Sequence, residues 1–382
     1  MSLDRMKILM VSYSDCASGN ASRLLGLASQ LARRHEVAIL FDGGNPRTGG
    51  NALPLSGKHS RLNPRFTPWL GSLYPTLLLG IPLKLLYGFR RYDLVHCFKP
   101  LPSSFIPAWL LARLFGARLL LDWDDWEGRG GFADQDPWPL RGFLDWFQGF
   151  ALRHCDGIVA VTPFLEKEAK KFSPHVFLIA NGADLEAFQP SPHLPGTSFK
   201  LLFLGHLFKS CDLDLVLHGL KHSIALGVEL LVVGDGPRRA EFEELARQLR
   251  VTGKVRFLGF VPRQQIPGLL AEADAVALPL KDNLANKSRF PVKLGEYLAA
   301  GKVIIANPVG VVNDFLEDRR NGFLVHDAAE FGQVLDEIVR RPAFNQVVAV
   351  HARDTAESRL NWVDLANQLE KVYRLFKQAE LK

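Results

Sequence analysis

Cysteine is scarce: Cys16, Cys97, Cys155 and Cys211 are all that 382 residues contain, and no two lie close together. That spacing excludes a disulfide framework, a zinc knuckle and a dithiol redox pair, and leaves reduced thiols in a cytosol as the expectation. Uninterrupted apolar length is also missing. The longest apolar tract, Trp69 to Phe89, is broken by Pro75, Pro82 and Lys84, short of the roughly 20 apolar residues a membrane-spanning helix needs. Asp4, Arg5 and Lys7 precede the brief run Ile8-Leu9-Met10-Val11, so the start reads as a first strand and not as a secretory leader. The first loop, "SDCASGNASR", has no G-x-G-x-x-G, which argues against a dinucleotide-dependent dehydrogenase. No Ser-His-Asp or Cys-His arrangement stands out, and there is no short-period repeat.

What is present fits two ordinary hydrophobic cores. Hydrophobic residues make up 47% and charged residues 23%, and the length exceeds what one core usually organises. Apolar runs at 8–11, 37–41, 92–98, 117–123, 157–161 and 176–181 alternate with stretches of helical spacing. Continuous rather than alternating apolar character marks parallel strands covered on both faces. Around Gln189 to Ser198 the text becomes "QPSPHLPGTS", which is linker composition. The pattern then restarts at 199–205, 228–233, 254–261, 273–280 and 301–307. The expectation is an α/β protein of two tandem doubly wound domains: residues 1–189, a linker at 190–198, residues 199–360, and a closing helix from 361 to 382.

The net charge of +6 is unevenly spread. Arg33 to Leu121 holds twelve Lys/Arg against three Asp/Glu, whereas Asp122 to Asp145 holds seven acids against two arginines. The acids begin in "LLLDWDDWEG" at 119–128, where Asp122 and Asp124 would share one face of a strand. Such a pair is compatible with a divalent ion on a diphosphate, or with the polar end of a strand. Residues 58–91 mix Lys58, Arg61, Arg65, Lys84, Arg90 and Arg91 with leucines and aromatics. They read either as a core helix pair or as a surface for an anionic membrane. Trp126 is a candidate for stacking on a sugar, and Trp146 reads as core.

From Val176 onward the chain resembles a particular family, on "LIANGADLEAF" (178–188), "VVGDGP" (232–237), "VRFLGFVPRQQIPGLLAEADAVALPL" (255–280), "PVKLGEYLAAGKVIIAN" (291–307), "NGFLV" (321–325) and "NWVDLANQLEKVYRLF" (361–376). These resemble the GT-B fold glycosyltransferases of the large retaining group called family 4. The resemblance implies two Rossmann-like domains facing a central cleft, a C-terminal helix that crosses back to the first domain, a nucleotide-sugar donor on the second domain and the acceptor on the first. Glu296 falls where the family's glutamate hydrogen-bonds the donor ribose. Gly205, Gly234 and Asp235 fall at strand ends on the donor edge, Phe260 and Val261 beside the base, and Lys293 and Leu294 at the start of the Glu296 helix. Asp124 and Asp125 take the places of a histidine and aspartate at the reacting carbon. Gly19 and Asn20 fall in the loop that approaches phosphate and acceptor, and His96 and Trp126 toward the acceptor; for His96 a buried structural role is equally open.

Three positions depart from the family pattern. The first of its two glutamates is Ser288 here, the arginine after the first donor-domain glycine is His206, and the usual lysine falls near Cys211, with Lys209 two residues away. Lys287, Arg289 and Lys293 are the substitutes the sequence offers for neutralising a diphosphate. The expected function is transfer of a sugar, with retention, from a nucleoside-diphosphate sugar to a glycan or lipid-linked acceptor in cell-envelope or polysaccharide synthesis. No metal, further cofactor or nucleic acid is expected, and the place is the cytoplasm, peripheral to the membrane. The alternative is a GT-B protein that binds a sugar nucleotide or a partner with little or no transfer.

Overall fold

The computed structural model describes residues 5–16, 21–44, 61–68, 74–191 and 198–378. The first stretch of chain forms β1 (Lys7–Val11), α1 (Ser22–Leu31), β2 (Glu36–Phe41), β3 (Leu62–Phe66), α2 (Tyr74–Gly88), β4 (Leu94–Phe98), α3 (Pro102–Phe115), β5 (Arg118–Trp123), α4 (Trp138–Arg153), β6 (Gly157–Ala160), α5 (Pro163–Ala169) and β7 (Val176–Leu178). The second forms β8 (Phe199–Leu204), α6 (Leu213–His222), β9 (Val228–Val233), α7 (Arg239–Gln248), β10 (Val255–Gly259), α8 (Ile266–Glu272), β11 (Ala275–Leu278), α9 (Leu284–Ser288), α10 (Val292–Ala299), β12 (Val303–Ala306), α11 (Val312–Phe315), β13 (Phe323–Leu324), α12 (Ala328–Arg340) and α13 (Pro342–Arg359). α14 (Trp362–Gln378) closes the described chain.

Two compact units result: Met1–Gly182 with Ser288–Phe290 and Trp362–Lys382, and Ala183–Lys287 with Pro291–Asn361. The first holds a seven-stranded sheet in the order β3-β2-β1-β4-β5-β6-β7, the second a six-stranded sheet in the order β10-β9-β8-β11-β12-β13. Every pairing in both is parallel. The strands are apolar along their whole length because both faces are covered, so each side chain meets a helix layer. The strand the apolar pattern does not show is β3, "LNPRF". It lies at the sheet edge, where Pro64 removes no needed hydrogen bond.

The division falls at Gly182/Ala183, not after residue 189. Ala183 N–H donates to Leu360 O at 2.9 Å, and Arg353 donates to Phe188 O at 2.8 Å and Ala299 O at 2.6 Å, so 183–188 is hydrogen-bonded into the second unit. Residues 192–197 of the expected linker lie outside the described residues. α14 joins the first unit by burying Leu365, Leu369, Val372 and Tyr373 in the core that α1 also lines. Trp362 fits between two glycines: a Cβ on Gly26 would lie 2.3 Å from its ring, and one on Gly182 2.5 Å.

α2 corrects one expectation about 58–91. Lys84 is not a surface cation: it is buried, its Nζ 2.8 Å from Asp42 and donating to Ser12 O at 2.9 Å and Ser103 O at 3.0 Å. Lys58, Trp69, Leu70 and Leu73 lie outside the described residues.

Candidate functional site

In open parallel sheets ligands bind outside the carboxyl ends of the strands, and each unit carries its chemistry there. In the first unit β4 runs into Lys99 and β5 into Asp124-Asp125-Trp126-Glu127. Lys99 Nζ is 3.7 Å from Asp124, 2.7 Å from Glu127 and in hydrogen-bond contact with Asp125. The ammonium also stands 4.8 Å from the centre of the Tyr13 ring, within range of a cation–π contact. Lys99 has a left-handed backbone, φ 69°, which costs a residue with a Cβ roughly 1–2 kcal/mol. Its N–H donates to Asp122 O at 2.9 Å and its carbonyl accepts from Ser104 Oγ at 3.0 Å, which holds the conformation. Glu127 is fixed from behind, its N–H donating to Gln148 Oε1 at 2.7 Å.

One cation thus faces three carboxylates. Burial alone would lower the Lys99 pKa, but the three acids outweigh it and hold the ammonium well above its ordinary range. Burial pushes Asp124 up to about 8; Lys99 opposes this, while Asp125, Asp122 and Glu127 reinforce it. Glu127 is likewise raised by burial, against the pull of Lys99. Asp124 Oδ1 is buried without a hydrogen-bond partner among the described residues, a condition native structures rarely leave without a use.

Asp122 has a different task from the one its spacing to Asp124 suggests. β5 ends at Trp123, and the Asp122 carboxylate receives both Arg23 Nε at 2.8 Å and Arg23 Nη2 at 2.9 Å. That bidentate, fully buried pair occupies the oxygens a bridging ion would need. Among the described residues no group of three His, Cys, Asp or Glu side chains is placed to hold a metal. His96 is also corrected. It is buried, with Nδ1 2.6 Å from Tyr373 Oη and Nε2 3.4 Å from Asp122, so it belongs to the seam between β4, β5 and α14, the buried role the sequence left open. Trp126 is half-buried, its Nε1–H donating to Arg129 O at 3.1 Å and its ring 5.5 Å from that of Trp123. Trp146, expected in the core, is exposed. Gly19 and Asn20 lie outside the described residues.

In the second unit the carboxyl edge is made of glycine turns. Gly234 has φ 136°, and a Cβ there would lie 1.8 Å from Gly205 O; only glycine lets the two turns touch. Gly234 N–H donates to Gly259 O at 2.8 Å, joining the β9 and β10 ends. His206, Lys209, Asp235 and Phe260 are exposed on this edge and Val261 is half-buried. Lys293, in the first turn of α10, has Nζ 3.5 Å from where a Gly205 Cβ would stand. Burial and the Lys293 charge lower the His206 pKa below its ordinary value. Glu296 is buried one turn further on, 2.8 Å from Arg263 Nη2. Burial raises its pKa, Arg263 opposing. Leu294 presents only backbone, its side chain being core.

Ser288 departs from the donor-site expectation. It is fully buried and belongs to the first unit: its Oγ accepts from Trp126 N–H at 3.3 Å and its carbonyl accepts from Thr162 Oγ1 at 3.0 Å. Arg289 goes with it, and Lys287 is ion-paired to Asp282, so of the three proposed cations Lys293 is the one at the glycine edge. Sequence reasoning missed Lys99, Arg23 and Arg263. Lys99 alone had a signal, since it directly follows an apolar strand run.

Comparison with known proteins agrees with this architecture. A model of "glycosyl transferases group 1" matches residues 198–341 and one of a "glycosyl transferase 4-like domain" matches 18–182. One component of the phosphatidylinositol N-acetylglucosaminyltransferase of Arabidopsis thaliana is 21% identical over 97% of this chain and 82% of its own. Other curated relatives are matched over less than two thirds of their length, 44% and 43% for two of them. Among solved structures, sucrose-phosphate synthase of Thermosynechococcus elongatus superposes with TM-score 0.81 at 19% identity over 98% of this chain and all of that one. Anabaena HepE in complex with UDP-glucose does so with TM-score 0.71 at 18% identity, over 96% of this chain and 99% of that one. Two glycosyltransferase domains in sequence and two parallel-sheet units in space place the chain among the group 1 glycosyltransferases of GT-B fold.

Proposed function

We propose that the chain transfers a hexose-type sugar from a nucleoside-diphosphate sugar to a glycan or lipid-linked acceptor with retention of configuration, working peripherally at the cytoplasmic membrane surface in cell-envelope or polysaccharide synthesis. The observation that carries the proposal is the buried Asp124, whose Oδ1 stands 3.7 Å from the Lys99 ammonium and has no hydrogen-bond partner among the described residues. In this reading Asp124 meets a sugar hydroxyl and, in its ionised form, stabilises positive charge on the anomeric carbon. Lys99 sets the charge of the group and Asp125 shares that lysine. The acceptor oxygen bonds to the anomeric carbon as its bond to the donor phosphate breaks, and the acceptor proton passes to the leaving phosphate oxygen. No metal or further cofactor takes part.

The second unit holds the donor: Gly205 and Gly234 let backbone approach the diphosphate, Lys293 and the α10 N-terminus answer its charge, and Glu296 accepts from the ribose hydroxyls. A nucleotide sugar is supported by HepE, solved with UDP-glucose, and a lipid-linked acceptor by the phosphatidylinositol N-acetylglucosaminyltransferase name. The test is transfer from a panel of nucleotide sugars to lipid-linked and soluble acceptors, with the product anomer read by NMR and with chelator as a control. Inverted product, or activity lost in chelator and restored by magnesium, overturns the mechanism. Ser288, in place of a sugar-contacting glutamate, favours a second reading: a protein that binds a sugar nucleotide without transfer. Donor-induced thermal stabilisation with no turnover on any acceptor establishes that reading instead.

A further inference from the structure

α2, α3 and α4 lie side by side on the face of the first sheet opposite α1 and α14. The Phe89 and Phe115 rings are 5.2 Å apart where the ends of α2 and α3 meet, and Trp109 on α3 lies 6.2 Å from Phe150 on α4. The outer surface of this layer is apolar. Leu79 and Leu86, seven residues apart and so on one stripe of α2, are exposed, Leu86 to 71%. Leu114 on α3 is 62% exposed and Trp146 on α4 61%. Large apolar side chains left open on three adjacent helices exceed the scattered exposure ordinary for a soluble monomer.

Positive charge predominates along α2 and α3. α2 and α3 contain no acidic residue, and α4 contains only Asp145, which accepts from Arg129 N–H at 2.9 Å. Arg90, Arg91 and Arg113 are exposed at the rim and have no carboxylate partner among the described residues. A second copy of this chain is a poor fit, because a two-fold contact would bring these guanidinium groups together with no acid to answer them. A bilayer with anionic headgroups supplies both an apolar layer for the leucines and tryptophan and counter-charge for the arginines. No helix of the described chain is long and apolar enough to cross a membrane, so the contact is one of lying on the surface.

We propose that the α2–α3–α4 face of the first unit docks on an anionic phospholipid bilayer, with Leu86, Leu114 and Trp146 in the interface and Arg90, Arg91 and Arg113 on the headgroups. This rests on the membrane-surface reading above and gives it a face, one that excludes Lys84 and includes α3 and α4.

The experiment is sedimentation with vesicles of phosphatidylcholine containing phosphatidylglycerol, against phosphatidylcholine alone, at low salt. Four proteins are compared: the full chain, Arg90→Gln/Arg91→Gln/Arg113→Gln, Leu86→Ser/Leu114→Ser, and Lys170→Gln/Lys171→Gln, exposed just after α5, as a control for basic residues elsewhere on the first unit. Binding to the anionic vesicles is expected to fall by roughly fivefold for each arginine removed, to fall in the leucine variant as well, and to persist in the control. Quenching of tryptophan fluorescence by brominated lipid should be lost in part in Trp146→Phe. Equal binding by all four proteins, binding lost only in the control, or no binding to anionic vesicles overturns the proposal; so does a dimer in light scattering that both face variants abolish. Donor-induced thermal stabilisation, measured without vesicles, separates the two ideas. If it is absent while face-dependent binding remains, the glycosyltransferase reading fails and the docking face stands.

Discussion

The carboxyl edges of the two sheets occupy equivalent places and are built oppositely. The first is a charged interior: Lys99, Asp124, Asp125 and Glu127 converge behind it, and Arg23 and Asp122 pair just below. The second is an edge of glycine turns, where Gly205 and Gly234 turn against one another and Lys293 stands over them. Charges withdrawn from water interact strongly and are held in place, which suits a group that must meet charge appearing during a reaction. Glycine turns remove side chains from the path of an anion and leave backbone N–H groups to approach it. The difference between the two edges is that between fixing a chemical state and admitting a ligand.

The sharpest way to break the contrast is to remove the cation of the first edge. Lys99→Met leaves three carboxylates around an apolar chain, and the loss of one partner of a buried charge cluster costs about 3–5 kcal/mol. Denaturant unfolding should show that loss, whereas Lys209→Met, exposed on the second edge, should leave stability within about 0.5 kcal/mol. Equal effects would mean the two edges do not differ in kind.

Asp124→Asn tests the chemistry of the first edge. Turnover should fall by a factor on the order of 10²–10³, as when one transition-state contact is removed, with donor KM nearly unchanged. A rise in KM at constant kcat would move Asp124 from chemistry to binding.

On the second edge, Lys293→Ala should weaken nucleoside diphosphates by about 1.5–3 kcal/mol and leave bare nucleosides unaffected. Glu296→Ala should weaken both, because it removes the ribose contact and frees Arg263. Isothermal titration with a nucleoside and its diphosphate separates the roles. Equal losses on the bare nucleoside would show that they are wrongly assigned.

The smallest effect is a pH dependence. Asp124 has its pKa raised by burial to about 8, above an unfolded value near 4. Between those values the folded state holds more protons than the unfolded one, so this group makes stability fall as pH rises through the window. Asp124→Asn removes the effect. Its Tm relative to the natural protein should therefore climb from pH 5 to pH 8, by a few degrees for a chain of this size. A flat difference would mean that Lys99 keeps Asp124 ionised throughout.

Much of the fold was legible because the information is local. Runs such as "KILMV", "LVHCF" and "VIIA" are apolar at nearly every position, and only a strand covered on both faces has a use for that. Five residues suffice to read one. β3 was not legible, since Pro64 and two polar residues leave no apolar run; what makes it a strand is the free edge of β2 beside it. The glycine edge was also legible, because a tight turn at a strand end needs glycine whatever surrounds it, and Glu296 came with a run of matching neighbours.

The sequence by itself determined two parallel-sheet units, the place of α14 as a closing helix, and the concentration of acids after β5. Only the tertiary structure decided which acid does what. Asp122 and Asp124 are two residues apart and look alike in the text, yet one is locked to Arg23, 99 residues away, and the other faces Lys99 across 3.7 Å with no hydrogen bond to that oxygen among the described residues. Likewise Lys84 and Arg90 read as one cationic patch, but burial beside Asp42 takes the first into the interior and leaves the second in solvent. The physical reason is common to both cases. Backbone form follows from side-chain polarity over a few neighbouring residues, whereas the state of a charge depends on burial and on partners within a few ångströms, and folding brings those together from distant parts of the chain.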